Sequence, residues 1–153
     1  MQWHTPPIIK VYEALGALAD ERVELASNSA KVFSSSRNKY YEVHYDPETQ
    51  AIVANDNGSY WKGYLGYPAI AYLLKCGVIA HDERAATLLQ GIAWKDINQR
   101  YKNDFDKTLE HILSPMTEQD KQFLAEEAER ILCDIETLAL SHLGPKTKPP
   151  EGY

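Results

Sequence analysis

Cysteine is scarce. Two in 153 residues, Cys76 and Cys133, cannot build a disulfide framework, and each sits in an apolar stretch where a free thiol packs as a small hydrophobe. A reducing, cytoplasmic setting is the expectation. Long hydrophobic runs are missing too. The most apolar window, Leu65 to Ala80, falls short of the roughly 18 to 20 residues of a membrane span and is interrupted by Lys75. The segment Met1 to Pro7 lacks the basic region and apolar core of a secretory signal, so no membrane partner is expected.

Catalytic signatures are also absent. The chain contains no G-x-S-x-G, no P-loop and no G-x-G-x-x-G, which sets aside the commonest hydrolase, nucleotide and dinucleotide readings. His4, His44, His81, His111 and His142 are scattered without the spacing of a helix-borne zinc site. Cys76 beside Lys75 has the cation that activates a thiol, but its apolar neighbours push its pKa the opposite way. Asn55-Asp56-Asn57-Gly58 carries a single charge and no glutamate at the twelfth position of a calcium loop, so it reads as a plain turn. Gly63-Tyr64-Leu65-Gly66 has the glycine spacing of a KH loop without its basic middle residues. No catalytic residue, cofactor or metal is assigned, and the sequence leans away from an enzyme.

Charge of one sign is unevenly placed. The formal net charge is −6, and Glu118 to Glu136 holds seven acids against two bases. That single helical stretch carries most of the imbalance, with Glu126, Glu127 and Glu129 as a candidate acidic face. There is no basic run to neutralise phosphates, which disfavours general DNA binding.

What is present is a foldable chain: 44% hydrophobic, 25% charged, 10% aromatic, with eight glycines and eight prolines. Ile8, Val11, Tyr12, Leu15 and Leu18 recur at helical spacing over Pro7 to Ala19. Short strands follow at Arg22 to Leu25 and Ala30 to Ser34. Tyr41, Val43 and Tyr45 then alternate with Glu42 and His44, the signature of a half-buried strand, and Asp46-Pro47-Glu48-Thr49 turns it back along Ala51 to Ala54. Pro68 opens a helix expected to lie across the sheet, closed by Cys76-Gly77. Beyond Glu83 to Gln90, the spacing of Trp94, Ile97, Tyr101, Phe105, Leu109 and Ile112 predicts one helix from Trp94 to Leu113. Thr117 and Asp120 cap a last helix predicted to reach about Leu143.

These elements predict an α+β domain over 1–143: an N-terminal helix, a small antiparallel sheet of about three to four strands, and a helical C-terminal half. Residues 1–80 carry helix, sheet and helix, 81–143 the helical part, and 144–153 a flexible tail. The apolar stripe of the last helix suits docking on the body or on a second copy in a homodimer.

The most distinctive segment is Tyr60-Trp61-Lys62-Gly63-Tyr64-Leu65-Gly66-Tyr67, facing a serine-rich hairpin with Arg37, Lys39 and Tyr40. Such rings are over-represented at interfaces and on base-stacking platforms, and they equally serve as half-buried core. The candidate binding set is Arg37, Lys39, Tyr40, Tyr60, Trp61, Lys62, Tyr64 and Tyr67. The order strand, strand, short loop, helix over Lys31 to Leu74, with Tyr41-Glu42-Val43-His44-Tyr45 and Ala71-Tyr72-Leu73-Leu74, resembles the SWIM zinc-finger module. Asn55, Asn57, Gly66 and Pro68 stand where its ligands fall, so the resemblance implies a metal-free version held by apolar packing, with DNA or protein binding.

The leading expectation is a non-enzymatic interaction protein, engaging a protein partner through the aromatic loop or the acidic helix. One form is an inhibitor or regulator of nucleic-acid-handling machinery, in the manner of DNA mimics or some anti-CRISPR proteins. The alternatives are single-stranded nucleic-acid binding through the aromatic and basic hairpin, and a small-molecule enzyme whose pocket no linear motif reveals.

Overall fold

A computed structural model describes residues 1–151; Gly152 and Tyr153, the end of the predicted tail, lie outside the described residues. Helix α1 (Ile9–Ala19) leads into strands β1 (Val23–Ala26), β2 (Ser29–Phe33), β3 (Tyr40–Asp46) and β4 (Ala51–Ala54), which form an antiparallel meander. The four meander strands fall within the expected three to four, and a fifth was not foreseen. Strand β5 (Ser141–His142) pairs parallel with β4, so the α+β expectation holds with a mixed five-stranded sheet.

Alternation settles the sheet's two faces. In β3 the odd positions Tyr41, Val43 and Tyr45 are buried while Tyr40, Glu42 and His44 stay exposed. The buried side, with Ala30 and Val32 from β2 and Ile52 and Ala54 from β4, receives helix α2 (Tyr67–Lys75), which crosses all four meander strands. Pro68 in its first turn supplies a helical φ where no amide partner is needed. Helix α1 packs on α2, and Ala14, Ala17, Ala69 and Ala71 are fully buried, small side chains that let packed helices approach closely.

The helical half departs from expectation in two places. The predicted helix 94–113 is broken into α4 (Trp94–Arg100) and α5 (Phe105–Leu113), because Lys102 and Asn103 adopt left-handed backbone and Asp104 begins a new N-cap, accepting from the Lys107 amide. Periodicity survives the break, which is why the stripe looked continuous. Helix α3 (Glu83–Leu88) precedes them, and α6 (Glu118–Leu138) begins as expected, with the Thr117 hydroxyl accepting from the Asp120 amide at 3.1 Å. It ends five residues earlier than the predicted Leu143, at left-handed Ala139, which frees Ser141 and His142 to join the sheet. Leu124, Ala128, Ile131 and Ile135 of α6 are buried in the core shared with α1 and α3, so its apolar stripe docks on the chain's own body.

Residues 1–4 run beside this last strand. Gln2 bridges Ser141, the Trp3 amide donates to the Leu140 carbonyl, and the Trp3 indole stacks on His142 at 3.7 Å while donating to the Ile52 carbonyl. Both cysteines are exposed, against expectation: Cys76 caps the end of α2, and Cys133 lies on the solvent side of α6. No helix among the described residues is long and apolar enough to cross a membrane.

Candidate functional site

Helix α1 is apolar on almost every side, yet it carries Lys10 and Glu13. Both are drawn inward: Lys10 Nζ donates to Glu13 Oε2 at 3.3 Å, and Asn98 Nδ2 from α4 donates to Glu13 Oε1 at 2.9 Å. Glu13 is only 3% exposed. Burial works to lower the Lys10 pKa, but Glu13, Tyr64 and Asp56 outweigh it and raise the value overall, so the ammonium is fully charged at neutral pH.

Arg22, just before β1, is 2% exposed, an unusual place for a guanidinium. Its Nη1 donates to the Phe33 carbonyl at 2.7 Å, while its Nε has no hydrogen-bond partner and lies 3.8 Å from Asp20 Oδ2. Asp20 is itself engaged by the Gly91 amide. Arg22 is thus held by the Phe33 carbonyl, by the Asp20 carboxylate and by the Tyr67 phenol.

Lys10, Glu13 and Arg22 border a single cavity of about 400 Å³. Its walls include the rings of Tyr41, Trp61, Tyr64, Tyr67 and Trp94, and its rim carries Lys62 and Lys95. Burial raises the pKa of Tyr67, with the Arg22 guanidinium working in the other direction; burial also raises that of Tyr64, opposed by Lys10. Both phenols keep their protons at neutral pH and can donate.

The chain reaches this geometry through glycine. After β4, Asn57 leads into a single π-helical turn, Gly58–Lys62, closed by left-handed Gly63. The Tyr64 ring lies on Gly58, where a Cβ would come within 2.4 Å of it, and Trp94 lies on Gly16, where a Cβ would meet the indole nitrogen at 2.6 Å. The expected plain turn at Asn55 to Gly58 is instead the anchor of this segment. Buried Asp56 accepts from the Ser59 hydroxyl at 2.6 Å and from the Ser59 amide at 3.2 Å, pressed against Gly66 at the start of α2.

Burial raises the Asp56 pKa, opposed by the Ser59 hydrogen bonds and Lys10. An acid whose folded pKa is raised adds stability below its unfolded pKa and loses it as pH climbs through the folded value. Asp56→Asn is therefore expected to raise the unfolding midpoint at pH 7. The Ser59 hydroxyl can turn to accept from the new amide, and the difference from wild type should close as pH falls to about the unperturbed 3.8. Thermal melts across that range check it; a variant less stable than wild type at every pH would contradict it.

Of the candidate binding residues, Tyr64 and Tyr67 line the cavity, and Trp61, 66% exposed, stands at its edge with Lys62. Tyr60 meets Trp61 edge to face at 4.7 Å. The hairpin group separates from them. Tyr40 lies on the open face of the sheet under Lys31, Lys39 sits over the Tyr41 ring, and Arg37 Nη2 donates to the Asp20 carbonyl. On α6, Glu126 and Glu129 are exposed, whereas Glu127 is turned inward to the Asp82 amide and Arg130. Lys10, Glu13, Arg22 and Asn98 escaped the sequence reading. The available signal was two charges three positions apart in an otherwise apolar helix.

The strand, strand, helix order behind the SWIM resemblance is present as β3, β4 and α2, with Asn55 accepting from the Glu42 amide and Gly66 opening α2. No cluster of three or more metal-ligating side chains occurs among the described residues.

Fold and cavity together define an α+β domain with charged side chains gathered around an aromatic interior pocket. The chain belongs to the family described as uncharacterised conserved protein UCP014422, whose model matches residues 3–141. No curated protein matches it, and no solved structure does.

Proposed function

We propose that this chain binds a small molecule in the cavity between α1, α4, the π-helical turn and the sheet. The observation that carries the reading is the convergence of half-buried Lys10 with buried Glu13 and Arg22 on one concave, ring-lined space of about 400 Å³. Ligand sites in proteins are typically pockets of about 300 to 1,000 Å³ with mostly apolar walls and a few placed polar groups. Burying Glu13 and Arg22 and drawing Lys10 inward is costly, and a core needing only stability would do better with apolar groups there.

The tryptophans supply the test. Trp3 does not line the cavity, while Trp61 and Trp94 do, so a spectrum of the ¹⁵N-labelled protein gives three indole signals with a built-in control. Titration with a set of small aromatic and anionic fragments is expected to move the Trp94 and Trp61 signals and leave Trp3 in place. If no fragment moves Trp94, the cavity is not a binding site.

The exposure of Trp61 favours a second reading, a protein partner seated on the Trp61 and Lys62 edge. Such a partner is expected to be lost with Trp61→Ala and retained in a variant whose cavity is blocked.

A further inference from the structure

Three separate segments bring basic groups to Gly63, at the exit of the π-helical turn. Residue 4 is pinned there by two backbone bonds, the His4 amide donating to the Gly63 carbonyl at 3.0 Å and the Leu65 amide to the His4 carbonyl at 3.2 Å. The chain beyond β5 returns to the same place. The left-handed glycine leaves the Lys146 ammonium and the His4 ring close together over bare backbone: a Cβ at residue 63 would lie 3.5 Å from Lys146 Nζ and 3.7 Å from His4 Nδ1. Lys62, exposed, adds its ammonium from the turn itself. His142, stacked on Trp3, feels the cluster: burial lowers its pKa, and so do Lys146, the chain's amino group and His4, all of one sign. Among the described residues no carboxylate pairs with His4, Lys62, His142 or Lys146, although the chain carries 22 acids against 16 bases. Next to Lys62 stands Trp61, the most exposed ring among the described residues.

We propose that Trp61, Lys62, His4 and Lys146 form a docking surface for an acidic segment of a protein partner, with its carboxylates on the two lysines and an apolar side chain on the Trp61 indole. This surface extends the Trp61 and Lys62 partner edge proposed above, on which it rests, and gives that partner its chemistry; the ligand of the cavity plays no part in it. Charge complementarity selects the occupant. Gathering like charges with no acid among them costs free energy in the free chain, and a surface needing only solubility would intersperse both signs. Tryptophan is enriched at the energetic centre of interfaces, and charges around such an anchor steer and orient the partner. A short acidic segment fits better than a nucleic-acid strand, because the cations form one cluster rather than a track and the net charge of −6 repels a long polyanion.

The test selects binders from a random-peptide library on the full chain at low salt. The best peptide is then compared, by fluorescence anisotropy, with a counterpart whose acids are replaced by amides and with an oligothymidine of equal charge. The enriched peptides should be acidic, and the best should bind about tenfold or more tighter than either comparison, with an affinity that falls as salt rises. Lys62→Gln and Lys146→Gln should each weaken it several-fold, and Trp61→Ala about tenfold or more. Lys107→Gln, which removes the same charge from α5, should leave it unchanged, and circular dichroism confirms that each variant is folded. Enriched peptides that need Trp61 but carry no net negative charge overturn the acidic partner and leave the edge as a protein-binding site. Acidic peptides indifferent to both lysines overturn the proposed surface. Tighter binding of the oligothymidine overturns the protein partner in favour of a nucleic acid. A library that yields no binder, or only binders indifferent to Trp61, Lys62 and Lys146 alike, removes the underlying edge reading as well.

Discussion

Gly66→Ala is expected to destabilise the fold by about 3 kcal/mol, the upper end for overpacking a filled interior. The backbone at Gly66 is extended and tolerates any residue, so the cost is purely one of space: a Cβ there would lie 1.9 Å from Asp56 Oδ2. That carboxylate cannot step aside without abandoning both Ser59 bonds in a site sealed from water. Chemical denaturation reads the loss as a lower midpoint. The double variant Asp56→Ala with Gly66→Ala separates steric from other causes, since removing the carboxylate removes the collision. It should be more stable than Gly66→Ala alone, although Asp56→Ala by itself is destabilising. An unchanged midpoint for Gly66→Ala would show that Asp56 has room to move.

Glu13→Ala is expected to cost a comparable amount, about 3 kcal/mol, because it leaves the inward-turned Lys10 ammonium without its carboxylate. Asn98 loses its acceptor in the same step. Replacing the pair together, Lys10→Met with Glu13→Leu, leaves no orphan charge and should be much milder, near neutral for stability. That contrast also bears on function. If the pair exists for the ligand, the double apolar variant will stay folded and lose the indole response to fragments. If the double variant is as unstable as Glu13→Ala, the pair is structural.

The sheet was legible because its signal is local. Tyr41, Val43 and Tyr45 alternate with polar neighbours, and the register that follows, Val43 opposite Ala54 and Tyr45 opposite Ile52, needs only the Asp46 to Thr49 turn. Capping at Thr117 was legible for the same reason. The break at Lys102 and Asn103 was not, because hydrophobic spacing carries on across it and neither residue is a glycine or proline. Strand β5 was hidden by distance, since only the presence of β4 about ninety residues earlier makes Ser141 and His142 a strand. The aromatic segment was found but its orientation was not. Which ring turns inward depends on Gly58 and Gly66 being pressed by Tyr64 and Asp56, contacts with no periodic trace. The acidic stretch of α6 stood out as a sum of charges, yet Glu127 takes a backbone amide and an arginine rather than joining the exposed face.

The parallel pairing of β4 with β5, flanked by residues 1–4, also sets an order of events. During synthesis the meander and α2 can assemble once the first half has emerged, but the outer edge of β4 keeps open backbone groups until residue 142 is made. Closing that edge brings together Gln2 and Ser141, among the most distant pairings the chain offers, and such contacts form late and slowly. Until then Ala51–Ala54, apolar at every position, is an unprotected strand edge, the kind that pairs with other chains. Self-association during expression is thus a hazard of the unfinished molecule, and substitutions at Trp3 or His142, which hold the seam together, will expose it in the finished one.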